Sequence, residues 1–272
     1  RCSRFPECNV RRRGLHAQLT DVRSHLASVD QRIARLPMPQ SVETARLRSN
    51  DLRAALTAIR DEGCDAVYHT GDAIAIGPYP AECLDLLLRT PNVRLVMGNH
   101  DAWFASGLPH SRPSSMTERV FDHQRWTHAQ LDPALRSDVA GWPYAIDEEI
   151  EGVRVRFVHY ALDETGRGWQ TLRPDPKPAD LDEAFGSGLD LVCFGHDHAR
   201  RDITGRARYL NPGTLGCSVE PTARFVIVEI ADGRVDVTLR AAPYDDTVVI
   251  REFARRDVPG RDFILRAFFG HG

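Results

Sequence analysis

Lysine is almost missing from this chain. Of 35 basic residues only Lys177 is a lysine, and the rest are arginines. We read that bias as a mark of G+C-rich coding DNA. Charge of one sign is also lacking: 38 acidic residues leave a formal net charge of −3, which gives no sign of a nucleic-acid-binding surface. The run Arg11–Arg13 is the one local exception, and such short runs are usually solvated surface. No apolar run approaches the ~20 residues of a membrane span, and no signal peptide is visible. A cytoplasmic protein with no membrane partner is expected. Cysteines 2, 8, 64, 83, 193 and 217 form no C-x-x-C pair, which argues against a zinc ribbon or a disulfide framework.

What is present suits one large domain, or one domain with an appendage. The 272 residues are 42% hydrophobic, enough for a sizeable core. The chain opens on Arg1 rather than methionine, as a fragment, a processed form or an imperfect gene model would. Leu15, Leu19, Val22, Leu26, Val29, Ile33 and Leu36 recur at heptad spacing and are closed by "PMP" at 37–39. They predict an amphipathic helix within an N-terminal extension, residues 1–43. It lies on its own domain or pairs with a second copy, giving a possible homo-oligomer.

From residue 44 to 270 the pattern is that of a mixed domain. "SNDLRAALTAIRDEG" predicts a capped helix, "CDAVYHTGD" a strand ending at Asp72, "YPAECLDLLLRT" a helix and "VRLVMGNHD" a strand ending at Asn99. Residues 114–140 read as helical with a break at "LDP". Hairpins follow through Glu151-Gly152 and Asp232-Gly233, with the apolar strand "LDLVCF" and the strand "RARYLN" between them. There is no internal repeat. Helix–strand alternation followed by hairpins predicts an α/β sandwich.

The chemistry sits at the strand ends. Asp72 follows "AVYHTG", Asn99 and His100 follow "LVMG", His159 follows "VRVRFV", and His196 and His198 follow "LVCFG". In layered α/β folds the loops at that edge build active sites. Imidazoles, a carboxylate and a carboxamide suit a hard or borderline divalent cation of the manganese, iron, zinc or nickel class; none of these positions offers a thiolate. Asp101 and Asp197 adjoin these histidines and are candidates to orient them.

These motifs, "TGD", "GNHD", "FVH" and "FGHDH" in that order, resemble those of the calcineurin-like metallophosphoesterase superfamily. "GDAIAIGPYPAECLDLL", "WTHAQLDPAL" and "YLNPGTLG" are similar to its compact bacterial phosphodiesterase branch. The resemblance covers about residues 46–270. It implies a four-layer α/β/β/α sandwich of two mixed β-sheets flanked by helices, built around two metal ions. It would make Asp72 the bridging ligand, place Asn99, His159 and His196 on one metal, and assign His198 to the other. His100 would protonate the leaving alkoxide, with Asp101 positioning it. The implied reaction is phosphodiester hydrolysis by a metal-activated hydroxide, on a small phosphoester or a nucleotide-like substrate. Asn211, in "NPGT", either sets a turn or contacts phosphate. Trp169 and Arg173, in the segment 161–178, either wall the pocket or belong to a surface loop.

One family motif is absent. A D-x-H pair is expected shortly before the helix at Ser49, and the chain has Arg46 and Arg48 in those positions. Three readings stay open. Residues 1–48 are a frame-shifted translation; or the chain is a divergent enzyme with one complete metal site and an arginine phosphate clamp; or it is a catalytically impaired metal-binding interaction or scaffold protein. If the sequence is literal, loss of the second metal and reduced turnover are expected, because an arginine beside a dication is repelled.

Overall fold

The computed structural model describes residues 50–271. The heptad segment, Arg46 and Arg48 lie outside them. In chain order the elements are α1 (Asn50–Glu62), β1 (Val67–His69), α2 (Pro80–Arg89), β2 (Val93–Leu95), α3 (Asn99–Ser106), α4 (Glu118–Ala129), a 3-10 turn (Pro133–Leu135), and α5 (Arg136–Ala140). Then come β3 (Ala145–Ile150), β4 (Val153–Val158), α6 (Pro178–Phe185), β5 (Leu191–Phe194), β6 (Arg201–Thr204), β7 (Arg208–Asn211), β8 (Thr222–Ala231), β9 (Arg234–Pro243), α7 (Thr247–Arg255) and α8 (Arg261–Phe269).

A five-stranded mixed sheet runs in the order β3-β4-β5-β7-β6; β4, β5 and β7 are parallel, and the two edge strands are antiparallel. Its centre, Leu191–Phe194, is buried at every position, which is why the sequence there is continuously apolar rather than alternating. One face carries Val153, Val155, Leu191, Cys193 and Leu210. It packs on Val226, Val228, Ile230, Val235 and Val237 of the β8–β9 hairpin. The hairpin's other face, through Ala223 and Phe225, receives α1 at Ala54, Ala55 and Ala58. Small residues there let the helix approach the strands closely. On the far face of the five-stranded sheet, Val158, Val192, Phe194 and Tyr209 are covered by Leu181 and Phe185 of α6. The layers are therefore α1, the β8–β9 hairpin, the five-stranded sheet and α6, an α/β/β/α sandwich of the kind expected.

β1 and β2 form a short parallel pair, with Val67, Tyr68 and His69 opposite Val93, Arg94 and Leu95. Tyr68 stacks on Phe157 of β4 with ring centroids 3.5 Å apart, which ties this pair to the same sheet face. α2 begins on Pro80, preset for a first helical turn, and buries Leu84 and Leu87 beside Leu52 and Met97. The break at "LDP" is real: Asp132 accepts from Ala134 N and ends the helical run that began at Thr117. Four helices carried no sequence expectation, namely α3, α6, α7 and α8. The last two close a separate apolar cluster, Val249, Phe253, Ile264 and Phe269, against Tyr79.

Candidate metal centre

The loops that leave β1, β2, β4 and β5 converge at their C-terminal ends. After His69 the chain turns through Gly71, at φ 91°, so that Asp72 sits at φ 58°; after Phe194, Gly195 leads to His196 at φ 63°. A side chain other than glycine in the left-handed region costs free energy, and two such residues facing each other mark a place where side-chain aim was favoured over backbone comfort. Gly98 closes the gap: a Cβ there would lie 2.2 Å from Asp72 N and 2.3 Å from Asp72 Oδ1. Only glycine lets the two loops pass at that distance.

His159 is the hub. Its side chain is 2% exposed. Its Nδ1 lies 2.8 Å from the Thr70 carbonyl, to which it donates, so in the neutral ring Nε2 is a bare lone pair. Nε2 then meets Asn99 Oδ1 at 3.1 Å, His196 Nδ1 at 3.0 Å and Asp72 Oδ2 at 3.3 Å. Asp72, His159 and His196 each aim one ligand atom into a region under 4.8 Å across. Four electron-pair donors crowded together repel one another until a positive charge joins them. That donor set fits one divalent cation. Without a cation, a proton is the available substitute. Burial opposes charging His159, but the adjacent Asp72 carboxylate outweighs it and raises its pKa. Burial also acts on Asp72, yet His100 and His159 hold its carboxyl well below the usual range. Burial and the charge on His159 push His196 down to about 4, leaving its lone pair free near neutrality.

His198 lies outside this cluster. Its ring rests 5.4 Å from that of Phe268, and it lines the same cavity of about 750 Å³ that Asp72, His100, His159 and His196 open into. Among the described residues no second set of three ligands accompanies it. They do not supply a second complete metal site.

Asp101 and Asp197 bond groups other than those expected, and Asn211, Arg173 and Trp169 each take one of their two readings. The Asp101 carboxylate is engaged by backbone N–H groups and not by the His100 ring. The residue is fully buried and its carboxylate accepts from Asp72 N, Gly98 N and Ile74 N at 2.8–3.0 Å, clamping the turn that carries Asp72. Successive helical residues point about 100° apart, so neighbours in α3 cannot share a face. Burial first, and then the Asp72 charge, push Asp101 up to about 7. Asp197 turns away to Arg201 at 2.5 Å. Asn211 is wholly buried; Nδ2 donates to the Gly195 and Asp197 carbonyls and Oδ1 accepts from Gly213 N. Of its two readings, turn setting is the role these bonds describe, and no group remains for phosphate. Arg173 pairs with Asp180 and Glu183 at the surface. Trp169, by contrast, stands edge-on to His159 at 5.7 Å and belongs to the cluster's wall.

Two contacts of the site leave no trace in the residue pattern. Thr70 contributes only a backbone carbonyl, which no side-chain pattern encodes. Gln124 of α4 meets His100 Nδ1 at 2.6 Å. It lies in "HQRWTH", a stretch that reads simply as helix.

Residues 48–233 match the calcineurin-like phosphoesterase superfamily domain, and the chain belongs to that superfamily. It is similar to an uncharacterized protein of Methanocaldococcus jannaschii, 29% identical over 149 residues, which is 54% of this chain. The matched stretch spans 56% of that relative's length. Among solved structures, a hypothetical protein from Pyrococcus horikoshii aligns with a TM-score of 0.66 at 17% identity, covering 82% of this chain and 94% of that one. A metallophosphoesterase from Sphaerobacter thermophilus aligns at 0.57 and 20% identity, covering 82% and 96%. At those identities the likeness establishes the fold alone. Among the described residues no helix is long and apolar enough to cross a membrane.

Proposed function

We propose that this chain is a phosphodiesterase that works with a single well-held divalent cation, liganded by Asp72, Asn99, His159 and His196, with manganese as the first cation to test. The observation that carries the reading is the convergence of bare donors on His159 Nε2, held in place by strained backbone at Asp72 and His196. A divalent cation held there supplies Lewis acidity, withdrawing charge from a phosphoryl oxygen and acidifying water. The chain's own groups do the rest. Asp72 accepts from His100 N at 2.9 Å, which seats its charge on the N-terminus of α3. His100 Nε2 lies 4.0 Å from Asp72 Oδ2, beside the donor cluster. In this reading it donates its proton to the leaving oxygen. Asp101 and Asn211 keep the two ligand loops in place through backbone N–H and carbonyl groups. The working unit is residues 44–270, with 1–43 as an extension, and its setting is the cytoplasm.

A second reading, a metal-binding relative with little or no turnover, is favoured by Arg46 and Arg48 standing where the family pattern has D-x-H. One experiment separates the two. The full chain is loaded with manganese, freed of excess and analysed for bound metal, then assayed on bis(p-nitrophenyl) phosphate beside Asp72→Asn and His100→Ala. We expect one tightly bound metal, measurable diester hydrolysis, loss of metal in Asp72→Asn and loss of turnover with metal retained in His100→Ala. Bound metal without turnover above the His100→Ala level would establish the second reading. Two tight metals would refute the single-cation site.

A further inference from the structure

We propose that Gln124 is a positioning residue for His100: it donates to His100 Nδ1 and so fixes the proton of the neutral ring on Nε2. The proposal rests on the reading of His100 as the proton donor, and it extends that reading to a residue on a different helix.

Three observations carry it. First, Gln124 Nε2 approaches His100 Nδ1 to 2.6 Å, across 24 residues of sequence. An amide N–H on Nδ1 leaves that nitrogen only its lone pair, so the ring's single proton sits on Nε2. Nε2 is the nitrogen 4.0 Å from Asp72 Oδ2, beside the donor cluster. Second, Gln124 is fully buried, and its Oε1 has no partner among the described residues. A buried carbonyl without a donor is unfavourable, and a methionine or leucine on this face of α4 would avoid it. Among the described residues the bond to His100 is the hydrogen bond of this side chain that offsets that cost. Third, among the described residues no other side chain hydrogen-bonds Nδ1. Trp103 meets it edge-on at 4.9 Å and restrains its plane, but offers Nδ1 no hydrogen bond in this arrangement, and Asp101 is occupied by three backbone N–H groups. Among the described residues the Gln124 amide alone hydrogen-bonds the ring, and the Asp72 carboxylate 4.0 Å from Nε2 favours the same tautomer from the other side.

The physical consequence concerns direction. A neutral imidazole with its proton on Nδ1 would point a lone pair at the leaving oxygen, and two lone pairs repel. With the proton on Nε2 the same ring is a donor before any reaction begins. Replacing the amide by a carboxylate inverts this. Gln124→Glu can only accept when ionised, so it draws the proton to Nδ1. Gln124→Met keeps the volume but states no preference.

The test reads the tautomer directly. Full-length protein labelled with ¹⁵N-histidine is examined cation-free by long-range ¹H–¹⁵N correlation, with the His100 signals assigned by their loss in His100→Gln. The wild type should show a protonated Nε2 and a bare Nδ1; Gln124→Glu should show a protonated Nδ1, and Gln124→Met averaged shifts. A wild-type Nδ1–H, or a pattern indifferent to both variants, would overturn the proposal. Turnover of the aryl diester provides a second readout. Gln124→Met should lower kcat about ten- to a hundred-fold, the range for removing the partner of a working imidazole, with KM and bound manganese little changed. A fall in metal content or in thermal midpoint matching the loss of turnover would reduce Gln124 to a packing residue. If the wild type lacks turnover, the phosphodiesterase reading fails, while the tautomer measurement still decides the role of Gln124.

Discussion

Replacing Gly98 by alanine should disable the cation site while leaving the chain folded. Gly98 has φ −100° and ψ 173°, extended backbone that alanine adopts freely, so the penalty is steric and not conformational. The added Cβ would stand 2.2 Å from Asp72 N and 2.3 Å from Oδ1, whereas real Cβ contacts stay beyond 3.0 Å. The Asp72 turn must therefore retreat by roughly 0.8 Å, the difference between those two distances. Neither neighbour is the free end of a flexible side chain. Asp72 N is fixed by Asp101 at 2.8 Å, and Oδ1 by His100 N at 2.9 Å. Overpacking of this kind costs about 1–3 kcal/mol in stability.

The larger effect falls on the cation. Displacing one ligand of a set whose atoms all lie within 4.8 Å of each other should lower affinity at least tenfold, on the order of 1.4 kcal/mol. Manganese at a hundred times the wild-type Kd adds about 2.7 kcal/mol to wild-type stability and about 1.4 kcal/mol or less to the variant at the same concentration. Urea unfolding with and without manganese measures both numbers. Gly77→Ala is the matched control, because nothing lies within 4 Å of its added Cβ and its φ is ordinary. If Gly98→Ala kept both its stability and its full manganese increment, the close passage of these two loops would not be what shapes the site.

Two further perturbations reach the site and the fold from other directions. Asn211→Leu removes three hydrogen bonds that hold the loop carrying His196. Manganese affinity by titration calorimetry should fall at least tenfold while secondary structure by circular dichroism is kept; unchanged affinity would mean that the loop holds itself. His123, whose pKa burial lowers to about 4, should make the protein acid-labile. Above about pH 6.5 the ring is neutral in both folded and unfolded chains and contributes nothing; below it only the unfolded chain takes the proton. Stability is thus lost as pH falls from about 6.5 toward 4, by up to about 1.4 kcal/mol per unit. His123→Gln should flatten the profile between pH 7 and 5.5, and parallel profiles would contradict this.

The parts of the site that could be read from sequence share a geometric cause. A parallel strand buried on both faces must be apolar throughout, so the first polar residue after it stands out in "LVCFGHDH", and "FVH" and "LVMGNH" make the same step from apolar residues to a ligand. The strand's length was less visible. β1 and β2 each pair over three residues only, because Thr70–Asp72 and Val96–Gly98 already belong to the loops that aim the ligands. The helices missed were those whose cause is tertiary. α3 follows β2 after the short loop Val96–Gly98, and it is capped by Asp101 reaching back to Gly98, a contact that looks from sequence like a carboxylate beside a histidine.

Adjacent residues in a chain are neighbours in sequence but not on a helix, where the partner of position i is i+3 or i+4. "HD" at 100–101 and "HDH" at 196–198 both suggested carboxylates orienting imidazoles. In both, the carboxylate serves something else: backbone N–H groups for Asp101, and Arg201 for Asp197. The groups that do bond the imidazoles are an amide on α4 and a backbone carbonyl after β1, at separations of 24 and 89 residues. First contacts with a cation must sit at strand ends and so leave a trace in the pattern. The groups behind them need only fill space on whichever element packs there, and a single buried glutamine in an amphipathic helix carries no mark of its task. Among the described residues His198 belongs to no set of three ligand groups, so further ligands for a second cation there would have to come from outside them.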